Sequence, residues 1–119
     1  MPTKNDALKH QLSNASEINI TVTGRKSGRS ISRPIWFVFE DGTLYLLPVK
    51  GSDTQWYKNV LQNPAMQIEV DGSKVDVHAS AVTGKAEVSD VVEKFRSKYA
   101  GDVKKYYSKF DVAVIARID

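Results

Sequence analysis

The sequence predicts an α+β protein, mainly β, with about six strands in a chiefly antiparallel arrangement and two or three flanking helices. Three observations carry this. Apolar and polar residues alternate with the period of two of half-buried strands over much of the chain. Asp41-Gly42 and Asp71-Gly72 are two-residue turn signals that join neighbouring strands into hairpins. Long apolar runs are few, which suits a small barrel filled by side chains and closed to hide its edges.

Each element follows from local pattern. Leu8 and Leu12 lie four apart and Asn5 or Asp6 can cap, so residues 5–14 read as a short helix. Ile18, Ile20 and Val22 alternate with Asn19, Thr21 and Thr23 in a first strand over 17–24. A second strand over 31–40 puts Ile31, Arg33, Ile35, Phe37 and Phe39 on one parity. Pro34 lacks an N–H and favours an edge or a bulge there. A third strand over 43–49 is apolar on both faces, Leu44 and Leu46 against Tyr45, Leu47 and Val49, as burial on both sides requires. Ser52 or Asp53 caps a helix over 54–62 that carries Trp56, Tyr57, Val60 and Leu61 and ends at Asn63-Pro64. Met66, Ile68 and Val70 form a fourth strand. Val75, Val77, Ala79 and Ala81 form the next, which Gly84 breaks or bulges. Ser89 or Asp90 starts a helix with Val88, Val92, Phe95 and Tyr99 on one face and Lys94 and Lys98 elsewhere. Gly101 interrupts it and Lys104 to Tyr107 add a turn. Phe110, Val112, Val114, Ala116 and Ile118 make the last strand.

The 119 residues amount to one domain, 1–119, of ordinary size. Hydrophobic residues at 41% and charged residues at 26% give a foldable, soluble composition. Cysteine is absent, which removes disulfides, thiolate metal sites and cysteine nucleophiles. His10 and His78 have no ligand partner at usable spacing, so no metal site is expected. Met1 to Asn14 carry no signal-peptide core, and no run reaches the ~20 apolar residues of a membrane helix. The expected location is the cytoplasm. The net charge of +3 is mild, and no aromatic-interleaved RNA motif accompanies Lys104, Lys105 and Lys109, so nucleic acid is not an expected partner.

Two stretches look like anion receptors. Between the first two strands lies Thr23-Gly24-Arg25-Lys26-Ser27-Gly28-Arg29, three cations and a serine on a tight link whose successive N–H groups can face one concavity. A charged hairpin tip is equally what solvent exposure favours. The second stretch is Lys50-Gly51-Ser52, where a strand gives way to a helix whose first N–H groups lack intrahelical partners. An ordinary strand-to-helix turn reads the same way. Trp36 has parity opposite to Ile35 and Phe37, which takes it from the core toward a pocket wall. No acid, base or nucleophile stands out. Catalysis, if present, then rests on a bound cofactor with a flat ring and an anionic tail.

With Thr23 to Gly28, Pro34-Ile35-Trp36-Phe37, Asp41-Gly42, Lys50-Gly51-Ser52, Trp56-Tyr57 and Asn63-Pro64 in this order, the chain resembles the deazaflavin-dependent nitroreductases. These are split β-barrel flavoproteins related to pyridoxamine-phosphate oxidases. The resemblance spans about residues 18–72 and implies a six- to seven-stranded antiparallel split β-barrel. It implies coenzyme F420 as cofactor, with FMN the alternative, and hydride transfer to a quinone, nitroaromatic or activated alkene. By position, Arg25, Lys26, Ser27, Gly28 and Arg29 would hold the anionic tail, and Pro34, Pro48, Val49, Lys50, Gly51 and Ser52 would line ring and phosphate. Gln55, Trp56 and Asn59 would approach from the helix, and Trp36 would shape the substrate pocket. Nitroreducing members hold a tyrosine at the position of Trp36, whose indole N–H is a hydrogen-bond donor but no practical proton source. A non-catalytic cofactor carrier is the rival function, and a homodimer is expected by analogy.

Overall fold

The computed structural model describes residues 6–118. In chain order it contains α1 (Asp6–Asn14), β1 (Ile18–Thr23), β2 (Ser30–Ile35), β3 (Phe37–Glu40) and β4 (Thr43–Leu46). A 3-10 turn (Gly51–Asp53) precedes α2 (Gln55–Gln62), β5 (Ala65–Val70), β6 (Ser73–His78), β7 (Ser80–Val82), α3 (Lys85–Tyr99), α4 (Asp102–Tyr106) and β8 (Ala113–Arg117). The strands form two four-stranded antiparallel sheets, ordered β2-β1-β5-β6 and β3-β4-β8-β7. Asp41 and Gly42 have φ of 53° and 74°, and Asp71 and Gly72 have 48° and 81°. Both are the primed turns whose twist matches that of a hairpin.

The strand expected over 31–40 is two strands. It ends at Ile35 in the first sheet and resumes at Phe37 in the second, leaving Trp36 at the corner. The Tyr99 hydroxyl repairs the broken ladder: it accepts the Phe37 N–H at 3.1 Å and lies within 2.8 Å of the carbonyls of Phe37 and Ser16, either of which can take its proton. The strand expected over 75–81 breaks likewise at Ala79, whose N–H turns to the Pro64 carbonyl at 2.9 Å. Gly84 is not that break; it precedes α3, which starts at Lys85 rather than at Ser89 or Asp90. The third strand stops at Leu46, and the cap residue of α2 is Thr54 rather than Ser52 or Asp53. The edge strands of one sheet thus run covalently into those of the other. Among the described residues no ladder joins the two sheets, so the closed barrel expected from the alternation does not form.

Two apolar cores result. One joins Ile18, Ile20, Phe37, Leu44, Leu46, Ile68, Val114 and Ala116 from the two sheets to Leu12 of α1 and Trp56 of α2. The other packs Val38, Leu47 and Ala113 against Val88, Val91, Val92 and Phe95 of α3 and Val103 and Tyr107 beyond it. The second sheet is therefore covered on both faces, as the two apolar parities of residues 44–47 required.

Lys98 does not simply face solvent. Its Nζ donates to the Phe37 carbonyl at 2.9 Å and sits 3.7 Å from the Phe37 ring centroid. Loss of water around the ammonium brings its pKa down to about 8. The unfolded chain, with an ordinary lysine, binds the extra proton between about 8 and 10.5, so stability rises with pH across that window. Tyr99 and Tyr107 act oppositely above pH ~10, because burial raises their phenols. Urea melts between pH 7.5 and 9.5 are expected to show this rise, and Lys98→Met is expected to flatten it.

Candidate functional site

The strand switch builds the site. Where the chain leaves the first sheet, Trp36 stacks on Tyr99 with centroids 4.4 Å apart and planes 7° from parallel. Tyr106 meets it edge-on at 5.6 Å and Tyr107 lies at 6.0 Å. In front of this cluster is a cleft of about 300 Å³ lined by Pro34, Trp36, Leu47, Val49, Trp56 and Tyr107, with Glu17, Ile35 and Tyr106 completing it. Val49 and Trp56 also line a second hollow of about 260 Å³, whose other walls are Arg33, Lys50, Asp53, Thr54 and Gln55. The two hollows adjoin at Val49 and Trp56, and the cleft they make up is aromatic at one end and lined by two cations, Arg33 and Lys50, at the other. Larger hollows of about 420 and 460 Å³ lie elsewhere, but no tryptophan, tyrosine or phenylalanine lines either. A flat ring has no platform there.

Of the residues expected at the site, Pro34, Trp36, Val49, Lys50, Gln55 and Trp56 meet around this cleft. Arg25 joins it indirectly. Its guanidinium donates to Asn59 Oδ1 and Gln55 Oε1, both at 2.8 Å, and its N–H reaches the same Asn59 oxygen at 3.1 Å. Asn59 is 4% exposed. It and Gln55 therefore clamp Arg25 with neutral acceptors, and among the described residues no carboxylate pairs with it. Lys26, Ser27, Gly28 and Arg29 are exposed at the hairpin tip and line neither hollow. There Gly28 takes φ of 70° and Ser27 Oγ accepts the Arg29 N–H at 3.2 Å.

Pro48 is fully buried, and Gly51 and Ser52 line neither hollow. Gly51, at φ of 55°, makes room for a protein group: a Cβ there would strike Asp111 Oδ1 and the Lys109 side chain. Asp111 Oδ1 accepts the Ser52 N–H at 2.9 Å and Oδ2 the Ser52 hydroxyl at 2.5 Å. The Ser52 hydroxyl bond is the chief cause holding the Asp111 carboxyl below its usual range.

Sequence reasoning missed Arg33, Glu17, Tyr106, Tyr107 and Asp111. Arg33 shares parity with Ile31 and Ile35, yet it is exposed on an edge strand; its charge was the available signal. Tyr106 ends the short helix α4 and Tyr107 follows it, with no pattern to orient either. Tyr107 is 6% exposed, burial pushes its phenol well above the ordinary value, and among the described residues its hydroxyl has no hydrogen-bond partner.

These residues define an α+β protein of two antiparallel sheets with a ring-and-cation cleft at the corner where the chain changes sheet. It belongs to the DUF2255 family, described as uncharacterized proteins conserved in bacteria, whose model matches residues 9–115. Its fold is similar to that of an F420-H2-dependent reductase (FDR-A), at 22% identity over 86% of this chain and 94% of that one, with a TM-score of 0.67. It is also similar to an FAD-binding protein from Mesorhizobium loti, at 14% identity over 99% and 91% of the chains and a TM-score of 0.72. A protein solved as a domain-swapped dimer matches at 20% identity over 97% and 100% of the chains, with a TM-score of 0.69. At these identities the likeness is one of fold.

Proposed function

We propose that this chain is a split-barrel reductase that binds the deazaflavin coenzyme F420 and passes hydride to a small acceptor such as a quinone, nitroaromatic or activated alkene. The observation that carries the reading is the pair of adjoining hollows, an aromatic end and a cationic end, that share Val49 and Trp56. A flat ring with an anionic tail matches both ends at once, and pockets of this kind are the usual seats of small ligands. The F420-H2-dependent reductase among the similar folds supports the same reading. The similar fold solved as a domain-swapped dimer supports a homodimer.

Trp36, Val49 and Trp56 would pack the ring and exclude water from it. Arg33 and Lys50 would meet the first negative charges of the tail, with Arg25 held ready by Gln55 and Asn59. The chemistry supplied by the bound cofactor is hydride donation. An acceptor carbonyl or nitro oxygen gains negative charge as hydride arrives, and the protein's part is to offer it a donor. Tyr107 suits this: its raised phenol stays protonated throughout the neutral range and its ring lines the cleft. Trp36 takes no part in proton transfer.

Titration by fluorescence quenching tests the cofactor. F420 is expected to bind more tightly than FMN, because its tail carries more negative charge than one phosphate. Equal or tighter binding of FMN would overturn the deazaflavin assignment. Reduced F420 incubated with a panel of quinones and enones separates a reductase, which turns over, from a carrier, which does not.

A further inference from the structure

The Lys50-Gly51-Ser52 loop, expected to receive a ligand's phosphate, already holds an anion of the protein's own. The Ser52 N–H and hydroxyl both donate to Asp111. The space above Gly51 is taken by Asp111 Oδ1 and the Lys109 side chain. Charge at the loop is also spoken for. Lys109 Nζ lies 3.2 Å from Asp53 and 3.6 Å from Asp111, one cation serving two carboxylates. A further anion arriving there would meet uncompensated negative charge and no free donor on Ser52.

The carboxylate is held in place by backbone. The Ser108 N–H donates to the Val49 carbonyl at 2.9 Å, and Lys50 and Lys109 form a parallel bridge. Residues 108–111 thus lie along residues 49–52, and Asp111 faces Ser52 as an intramolecular partner. Tethered partners act at effective concentrations of about millimolar or more, so a free anion must exceed that to compete.

We infer that Asp111 closes the Gly51-Ser52 part of this loop to outside phosphate and carboxylate groups, and so acts as a specificity-determining residue that leaves a ligand's anionic part to Arg25, Arg33 and the Lys50 side chain. This rests on the cleft reading above for its consequence, but its test uses no cofactor. Deazaflavin binding can therefore fail while this inference stands, and the reverse.

The experiment follows the Gly51 and Ser52 amide resonances of the isotope-labelled full chain as inorganic phosphate is added. In the wild type the Ser52 amide is expected to stay where it is. In Asp111→Ala it is expected to shift and saturate at a phosphate concentration at least about tenfold below any wild-type response, as the release of charge-assisted donors implies. Asp111→Asn keeps an acceptor for the Ser52 N–H while dropping the charge, and is expected to fall between the two. It carries the comparison alone if Asp111→Ala does not fold. An equal response in wild type and variants, or no response in a folded variant, would overturn the inference.

Discussion

Phe95→Ala is expected to cost about 3–5 kcal/mol of stability, the range for removing a fully buried aromatic ring. Phe95 is 0% exposed at the centre of the core between α3 and the second sheet. Its ring lies 5.8 Å from Tyr99 and 6.0 Å from Tyr107, centroid to centroid. The cavity left behind would sit against both rings, and Tyr99 is the surface on which Trp36 stacks. For a chain of this size each kcal/mol lowers Tm by about 3–4 °C, so a drop of about 10–20 °C is expected. Urea melts measure the loss directly. Phe95→Leu fills more of the space and should lose less. A loss below about 1 kcal/mol for Phe95→Ala would mean that the ring does not support the cleft as described.

The double substitution Arg33→Ala with Lys50→Ala is expected to weaken F420 binding by about a hundredfold or more. Each charge-assisted contact contributes about tenfold to a hundredfold, and exposure to solvent puts both residues near the lower figure. Arg33 and Lys50 are the two cations that line the cleft. Among the described residues neither forms an ion pair with a carboxylate, which leaves their charge available. Fluorescence quenching of Trp36 and Trp56 reads the Kd. Added salt should weaken wild-type binding more than that of the double variant, since screening acts on the charges removed. Riboflavin, with the ring but no phosphate, should bind both proteins alike. F420 affinity within threefold of wild type would detach the cationic hollow from the cofactor.

Local signals read well where the physics is local. Asp41-Gly42 and Asp71-Gly72 require positive φ at adjacent residues, and that requirement is written in the residue types themselves. The antiparallel hairpins β3-β4 and β5-β6 follow from these turns and from alternation. The parity of Trp36 set it apart from Ile35 and Phe37, and it packs on the second core while lining the aromatic hollow. Alternation says which face of a strand is buried, however, and not against what. It ran through Ile35 and Phe37 without a break, because Ile35, Phe37 and Phe39 all pack on one core while the chain changes sheet between them.

The roles of the polar residues were settled only in three dimensions. Arg25 meets Asn59 across 34 positions of sequence, and Asp111 meets Ser52 across 59. Lys98 finds the Phe37 carbonyl across 61, where a helical face alone would send it to water. A buried or half-buried polar group must find a partner, and many residues of the right type can serve. Which one does is decided by how the sheets, helices and the strap from Ser108 to Asp111 come to rest. Turn chemistry and burial pattern are thus properties of neighbouring residues, legible in the chain. The choice between an open anion receptor and one filled by Asp111 is a property of packing, because the competing carboxylate is brought to the loop only by the fold.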